Sequence, residues 1–164
     1  HLQMITELES NLPSRNVYLL FSLLKKDNNE HILQKACELG VSNFVPLLSE
    51  RTIKKDFNIE RARKIVVEAS EQCGRSNIPH VRDPVHLDKA LAEYHGKLQL
   101  LLCQAGGQQS TDFTDKVGLI VGPEGGWSER ELEIFKSLDL PHLALSPFVL
   151  RAETAAIVAA SKVL

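Results

Sequence analysis

The sequence lacks any apolar run approaching the 18 or so residues that a membrane-spanning helix needs. It also lacks a signal-peptide pattern near its first residue. These two absences predict a cytoplasmic protein with no membrane segment. The formal net charge is only −2, which predicts no overall attraction to nucleic acid. The first half of the chain carries a slight excess of basic residues, which is typical of a solvated helix face.

Cysteine is scarce, and no spacing typical of a metal site is present. Cys37, Cys73 and Cys103 form no C-x-x-C pair, and their odd number argues against a disulfide framework and a zinc site. The six histidines lack a metal spacing as well, so we expect no metal. We predict that each cysteine is a small buried hydrophobic residue in a reducing compartment.

The hydrophobic pattern alternates between the periods of strands and helices. Apolar runs predict strands at 17–21, 43–49, 78–81, 98–103, 116–121 and 142–146, and helical spacing predicts helices at 29–39, 58–73, 86–95, 129–137 and 152–164. This alternation predicts an α/β domain with a mostly parallel sheet. Pro46 cannot donate to a ladder, so we expect the second strand to lie at an edge or to carry a bulge.

Ligands of parallel sheets bind beyond the carboxyl ends of the strands, which here are followed by loops after Cys103, Val121 and Ser146. The second of these loops opens the stretch VGPEGGWSERE, in which Ser128 and Glu131 match a helix-starting capping box. Its three glycines permit either a tight turn or a close backbone approach to a ligand. A phosphate loop would offer Lys and Ser/Thr after its glycines, whereas this loop is acidic, so we expect a neutral or cationic ligand.

Basic residues mark three further stretches. LSPFVLRAETAA (145–156) carries an arginine at the start of an alanine-rich helix, where a cation opposes the helix dipole and is expected to face a ligand or an acid. PLLSERT (46–52) and EQCGR (71–75) each deliver an arginine at or just past the end of an element. Ordinary surface charge explains both arginines, and a phosphate-contacting face is the alternative.

Four stretches together resemble the ribosomal RNA small-subunit methyltransferase E family, which methylates N3 of a uridine in 16S ribosomal RNA and belongs to the SPOUT class. The matching stretches are QKACELGVSNFVPLLSERT (34–52), EASEQCGR (68–75), GLIVGPEGGWSERE (118–131) and LSPFVLRAETAA (145–156). Their order and spacing make the resemblance specific. They cover most of the chain from about residue 17 to its end.

The resemblance implies helices on both faces of a mostly parallel sheet and a deep trefoil knot at the C-terminus. It implies S-adenosylmethionine as the cofactor, 16S ribosomal RNA of the small subunit as the partner, and a homodimer whose interface includes the last helix. Family members carry an N-terminal PUA-like RNA-binding domain. Residues 1–14 would therefore be a linker or a remnant of that domain, and residues 15–164 the SPOUT methyltransferase domain.

The resemblance also assigns roles by position. It implies cofactor contacts from Leu102, Cys103, Gly122, Pro123, Glu124, Gly125, Gly126, Leu145, Ser146, Leu150, Arg151, Thr154 and Ala155. It implies an RNA-facing cleft lined by Arg51, Gln72 and Arg75. The chain departs from the family where Phe148 replaces an arginine and Ala152 replaces a threonine. We interpret these departures as altered RNA contact rather than lost activity.

Uridine N3 carries a proton at neutral pH, so methylation needs a base or a cation that stabilises the uridine anion. Arg151 is the expected cation, and Glu124 is the expected proton acceptor or pocket organiser. Two alternatives stay open. One is a related SPOUT methyltransferase with another RNA target, and the other is a non-catalytic dimeric RNA-binding or assembly module.

Overall fold

The computed structural model describes residues 10–25, 27–53, 55–106 and 112–164. Within them it contains seven strands and five helices. The strands are β1 (Asn16–Ser22), β2 (Asn43–Leu48), β3 (His80–Val81), β4 (Val85–His86), β5 (Gln99–Gln104), β6 (Lys116–Val121) and β7 (His142–Ala144). The helices are α1 (Asn28–Leu39), α2 (Ile59–Cys73), α3 (Leu87–Tyr94), α4 (Glu129–Ser137) and α5 (Ala152–Val163). The sequence predicted all of them except β4.

All of the strands pair in parallel, in the order β3-β2-β1-β6-β5-β7, with β4 also paired to β2. The predicted α/β class with a mostly parallel sheet is confirmed. The carboxyl ends of β1, β2, β5, β6 and β7 consequently meet at one edge, the carboxyl edge, and the opposite edge is the amino edge. The strand order and the packing of α5 on α1 fit the SPOUT class. The threading of the last segment into a knot stays a prediction.

The core lies on both faces of the sheet, as the resemblance implied. Side chains of a strand alternate between the faces, so Leu19 and Phe21 join one cluster while Leu20 joins the other. The first cluster is completed by α1, α2 and α5, and the second by α3 and α4. Strands covered on both sides carry continuous apolar runs, which is why β1 and β6 were readable from the sequence.

The edge position predicted for the second strand from Pro46 was wrong, because β2 lies inside the sheet between β1 and the β3/β4 pair. The carbonyl of Phe44 accepts a hydrogen bond from the backbone of Arg82 on the β3 side. Alternate residues of a strand point to the same neighbour, so Pro46 also faces that side. The partner strand is interrupted there, between Val81 and Val85, and the missing N–H of the proline therefore falls opposite a break.

Local chemistry sets several helix ends. The Asn58 side chain accepts the Arg61 N–H at 3.0 Å to begin α2, and left-handed Gly40 and Gly74 end α1 and α2. The predicted capping box of α4 is confirmed, with both Ser128–Glu131 bonds present. None of the helices in the described ranges is long and apolar enough to cross a membrane.

Two further predictions concern the cysteines and the first residues. Cys37 and Cys103 are buried as predicted, but Cys73 is only partly buried because it lies in the last turn of α2, so that prediction was wrong. Residues 1–9 of the predicted linker lie outside the described residues. The following stretch contacts the amino edge, where Asn11 donates from its backbone to Ser76 Oγ at 2.7 Å and from its side chain to the Gly74 carbonyl at 3.1 Å.

Candidate active site

A cleft of about 650 Å³ opens at the carboxyl edge, between the loops that follow β5, β6 and β7. This volume is in the range of small-molecule and cofactor sites. Its lining residues come from these loops and from the start of α1 and of α5. They are Asn28, Cys103, Gln104, Ala105, Val121, Gly122, Pro123, Glu124, Gly126, Trp127, Leu145, Val149, Leu150, Arg151, Ala152, Glu153 and Ala155.

The central wall is the glycine loop, residues 122–126. Gly126 has a positive φ of 68° and donates its N–H to the Pro123 carbonyl at 2.9 Å, which closes a tight turn. Gly122 lies against the indole of Trp127, where a Cβ would come within 2.9 Å of Cε2. That indole is fixed in turn by edge-on packing on Phe135, with ring centroids 4.9 Å apart. The glycine loop therefore offers backbone to a ligand and has no space for a side chain at position 122.

Two contacts from neighbouring loops hold the glycine loop in place. The Glu124 carboxylate accepts the backbone N–H of Lys25 at 3.0 Å, which joins the glycine loop to the segment after β1. Arg51 Nη1 donates to the Gly125 carbonyl at 2.9 Å, which joins it to the segment after β2. Both contacts are exposed, so a ligand can reach the groups that make them.

Another wall of the cleft is formed by the loop after β7, which is hydrogen-bonded to the loop after β5. The Leu145 N–H bonds the Gln104 carbonyl at 3.0 Å, and the Gly106 N–H bonds the Ser146 carbonyl at 3.1 Å. Arg151 is the N-cap residue of α5 and makes no side-chain cap bond. In the described part of the chain no acid pairs with its guanidinium, which therefore stays available to a ligand at the cleft.

Cys103 forms an apolar part of the cleft floor. Burial raises the pKa of its thiol to about 12, and the weak hydrogen bond to a backbone group offsets this only in part. The thiol is consequently neutral at physiological pH. A neutral buried thiol is a poor nucleophile, so the cleft does not offer covalent catalysis by this residue.

The structure brings most of the predicted cofactor residues together around the cleft. Cys103, Gly122, Pro123, Glu124, Gly126, Leu145, Leu150, Arg151 and Ala155 line it. The other four do not. Leu102 is 2% exposed and packs in the core cluster on the opposite face of the sheet, and Gly125 faces Arg51. Ser146 accepts the Phe148 N–H through Oγ and the Gly106 N–H through its carbonyl. Thr154 is exposed on α5.

Sequence reasoning missed several lining residues. Gln104 and Ala105, which directly follow Cys103, line the cleft together with it and had not been singled out. Trp127 was visible in the motif but had no assigned role. Asn28 could not be found from any motif, because only the fold brings the start of α1 to the cleft.

The three predicted RNA-binding residues are not brought together. Arg51 lies at the carboxyl edge beside the glycine loop. Gln72 lines a separate groove between α1 and α2, whose charged residues are mostly acidic. Arg75 is at the amino edge, where its Nη1 donates to the carbonyls of Cys37 and Val41, both at 2.9 Å. Of the three, Arg51 alone contacts a loop that forms the cleft.

Comparison with known proteins gives consistent results. Residues 10–164 match the RNA methyltransferase domain family. The ribosomal RNA small subunit methyltransferase E of Aquifex aeolicus is 32% identical over 94% of this chain and 71% of its own length, and that of Helicobacter pylori is 34% identical over 92% and 67%. The crystal structure of the enzyme of this name from Neisseria gonorrhoeae, bound to S-adenosyl methionine, superposes with a TM-score of 0.83 at 30% identity, covering 90% of this chain and 65% of that one.

The fold and these matches define the class of protein, and the chain belongs to the RNA methyltransferase domain family. Within it, the chain is a member of the ribosomal RNA small subunit methyltransferase E family, as the motifs indicated. It spans about two thirds of the length of these three relatives.

Proposed function

We propose that the chain is an S-adenosylmethionine-dependent methyltransferase that methylates N3 of a uridine in 16S ribosomal RNA of the small subunit. The observation that carries the proposal is the cleft at the carboxyl edge, formed by the glycine loop and the start of α5. The Neisseria gonorrhoeae relative, 30% identical, binds S-adenosyl methionine. The uridine specificity rests on the resemblance of the motifs.

The chemistry of the cleft fits this cofactor. The glycine loop presents backbone groups and the adjacent Trp127 supplies a flat indole, and both suit a nucleoside. Glu124 and Glu153 line the cleft, and their carboxylates would repel a phosphate but favour a positively charged sulfonium. When bound, the cofactor supplies an electrophilic methyl group. The backbone of the glycine loop, together with Leu145, Leu150 and Ala155, would hold it.

The residues of this chain would then orient the base and manage its proton. Arg151 lies at the cleft, and no carboxylate of the described residues pairs with its guanidinium. A cation there would stabilise negative charge on the uridine O2 or O4 as the N3 proton leaves. Glu124 is exposed at the cleft, where a carboxylate can either accept that proton or organise the pocket. Its Oε1 already accepts the Lys25 N–H, which favours the organiser role over the proton-acceptor role. Methyl transfer itself is an in-line displacement, so positioning supplies much of the rate.

The proposal includes a homodimer and a cytoplasmic location. Phe148, next to α5, is 75% exposed and does not line the cleft, and a large apolar side chain in this position favours a partner surface. Sedimentation velocity tests the dimer, and a single species with the mass of one chain would contradict it.

The decisive experiment maps the methyl group. Purified protein, labelled S-adenosylmethionine and 16S ribosomal RNA or 30S particles are incubated, and the RNA digest is analysed by mass spectrometry. We expect 3-methyluridine at one position. Methylation of another base or another RNA would favour a related methyltransferase, and absence of cofactor binding in isothermal titration would favour a non-catalytic RNA-binding module.

A further inference from the structure

The segment after β2 is a rigid turn that projects Arg51 beside the glycine loop. Its ends are joined three times, since Thr52 Oγ1 accepts the Ser49 N–H at 3.0 Å and contacts Ser49 Oγ at 2.8 Å, and the Thr52 N–H reaches the Ser49 carbonyl at 3.1 Å. Both side chains are buried. A turn closed in this way fixes the direction in which Arg51 leaves the backbone.

A buried carboxylate anchors the same turn to α4. Glu131 is 1% exposed, and its two oxygens accept the backbone N–H groups of Glu50 and Ser128, each at 2.8 Å. Charge-assisted bonds of this kind are stronger than neutral ones. The capping box of α4 therefore has a second use, because the acid that caps the helix also holds the residue before Arg51.

Arg51 continues this chain of contacts to the glycine loop. Its Nη1 donates to the Gly125 carbonyl at 2.9 Å, and its stem lies over Gly125, where a Cβ would be 3.6 Å from Arg51 Cβ and 3.7 Å from Cδ. Gly125 does not line the cleft, although its neighbours Glu124 and Gly126 do. Arg51 thus holds the glycine loop from behind, on the side away from the cleft.

The rest of the Arg51 guanidinium is open. A guanidinium has five N–H donors, and within the described ranges Arg51 uses one of them and pairs with no carboxylate. By contrast, Arg61, Arg82 and Arg130 each pair with glutamate. An exposed arginine fork that forms no ion pair within the described ranges matches the geometry of a phosphate group.

We propose that Arg51 is a positioning residue shared by two ligands. One N–H group fixes the Gly125 carbonyl and thereby the glycine loop that receives the methyl donor, and the open part of the guanidinium binds a backbone phosphate of the RNA. This inference rests on the proposed function. It makes the methyl-donor pocket and the RNA surface depend on one side chain.

The test compares Arg51→Ala and Arg51→Lys with Lys55→Ala. Lys55 is an exposed cation in the same segment, and within the described residues it makes no contact with the glycine loop, so its removal controls for charge alone. Trp127 is the single tryptophan of the chain, and its fluorescence reports on the glycine loop without any ligand. Three quantities are measured: acrylamide quenching of Trp127, the Kd for S-adenosylmethionine, and the Kd for 16S ribosomal RNA.

In Arg51→Ala we expect stronger quenching, a Kd for S-adenosylmethionine about fivefold higher without RNA, and a larger loss of RNA affinity than in Lys55→Ala. Arg51→Lys should recover RNA affinity more fully than cofactor affinity, because it restores the charge but not the fork. Lys55→Ala should leave quenching and cofactor affinity unchanged.

Unchanged quenching and cofactor affinity in Arg51→Ala would overturn the positioning role. Equal RNA losses in Arg51→Ala and Lys55→Ala would overturn the phosphate contact. Failure of the unsubstituted protein to bind S-adenosylmethionine would overturn the proposed function instead, and the quenching measurement would still decide whether Arg51 fixes the glycine loop.

Discussion

At the carboxyl edge of the sheet the exposed Arg51 guanidinium makes one hydrogen bond to the described residues, whereas at the amino edge the Arg75 guanidinium donates to two backbone carbonyls and to the Asn77 side chain. Both arginines lie near the ends of β2. The Arg75 bonds reach carbonyls in the last turn of α1 and just after it, of which that of Cys37 also accepts the Gly40 N–H at 3.0 Å, so they serve the fold. The open donors of Arg51 serve no such purpose within the described chain.

The contrast extends to the segments around each arginine. At the amino edge, residues 10–14 cover the turn after α2 through Asn11, which donates to Ser76 Oγ and to the Gly74 carbonyl and accepts the Ser76 N–H. At the carboxyl edge, the glycine loop is held by two exposed contacts, from Arg51 and Glu124. A site that must accept ligands needs exposed, unpaired polar groups on a supported backbone, and the carboxyl edge shows both. At the amino edge, Arg75 Nη2 has no hydrogen-bond partner among the described residues, but it is buried and out of reach of a ligand.

The largest test of this contrast removes the cation at the start of α5. In Arg151→Ala we expect methyl transfer to fall by about 10²–10³-fold, the usual cost of losing one group that stabilises developing charge. Cofactor affinity should stay within a few-fold, because the cofactor is held mainly by backbone. Single-turnover methylation and isothermal titration measure the two quantities.

The matched control is Lys89→Ala, which removes an exposed cation on α3 that does not line the cleft. It should leave both quantities unchanged. Full turnover in Arg151→Ala would exclude Arg151 from the mechanism. The carboxyl edge would then lose its main functional difference from the amino edge.

A second test adds one methyl group to the glycine loop. In Gly122→Ala the new Cβ would lie 2.9 Å from Trp127 Cε2, so the indole or the backbone must move. Overpacking of this kind costs about 1–3 kcal/mol of folding free energy. We expect the cofactor Kd to rise about tenfold, which corresponds to about 1.4 kcal/mol.

The companion variant Gly74→Ala probes the amino edge. Gly74 has a φ of 70° and open space around it, so alanine costs folding stability through backbone strain alone. Cofactor affinity should not change. Equal cofactor losses in both variants would mean that the sheet transmits stability changes to the cleft and that the two edges are not independent.

The sequence predicted the elements well because their signals are local. The capping box at Ser128 sets the start of α4, and the glycines after α1 and α2 set the ends of those helices, each through bonds to residues nearby in sequence. The strands β1 and β6 are continuous apolar runs. The edge position predicted from Pro46 was wrong, because a proline shows that one backbone donor is missing but not which neighbouring strand leaves that position without an acceptor. That depends on the break between β3 and β4, which is a tertiary feature.

The candidate site was predictable only in part for the same reason. The motifs located the glycine loop and Arg151, but they could not separate Arg51 from Arg75, since each follows an element in a basic stretch. What distinguishes them is the set of carbonyls within reach, from Cys37 and Val41 for one and Gly125 for the other. Those carbonyls are remote in sequence.

A third test asks whether Arg75 serves the fold. In Arg75→Ala the Val41 carbonyl loses the Arg75 donor and the Cys37 carbonyl keeps only the Gly40 N–H, and we expect the free energy of unfolding to fall by about 1–3 kcal/mol. Urea denaturation measures this, with Arg63→Ala as the control, whose exposed pair with Glu60 is worth no more than about 0.5 kcal/mol. A larger loss of RNA affinity than in Arg51→Ala, with unchanged stability, would return Arg75 to the RNA surface.

The smallest expected effect concerns pH and the apolar floor of the cleft. Burial raises the pKa of the Cys103 thiol from 9.0 to about 12, so between these values the thiol ionises in the unfolded chain but not in the folded one. The stability contributed by the neutral thiol is therefore complete below pH 9 and is lost as the pH rises from 9 towards 12, with about 1 kcal/mol lost at pH 10. Between pH 8 and pH 10, urea denaturation should show a smaller decrease in the free energy of unfolding for Cys103→Ala than for the native protein. Cys37 contributes equally to both proteins, so its effect cancels when the two decreases are subtracted. Identical decreases in the two proteins would mean that the Cys103 thiol is solvated in the folded state. The cleft at the carboxyl edge would then contain a thiol able to ionise, instead of a neutral apolar group.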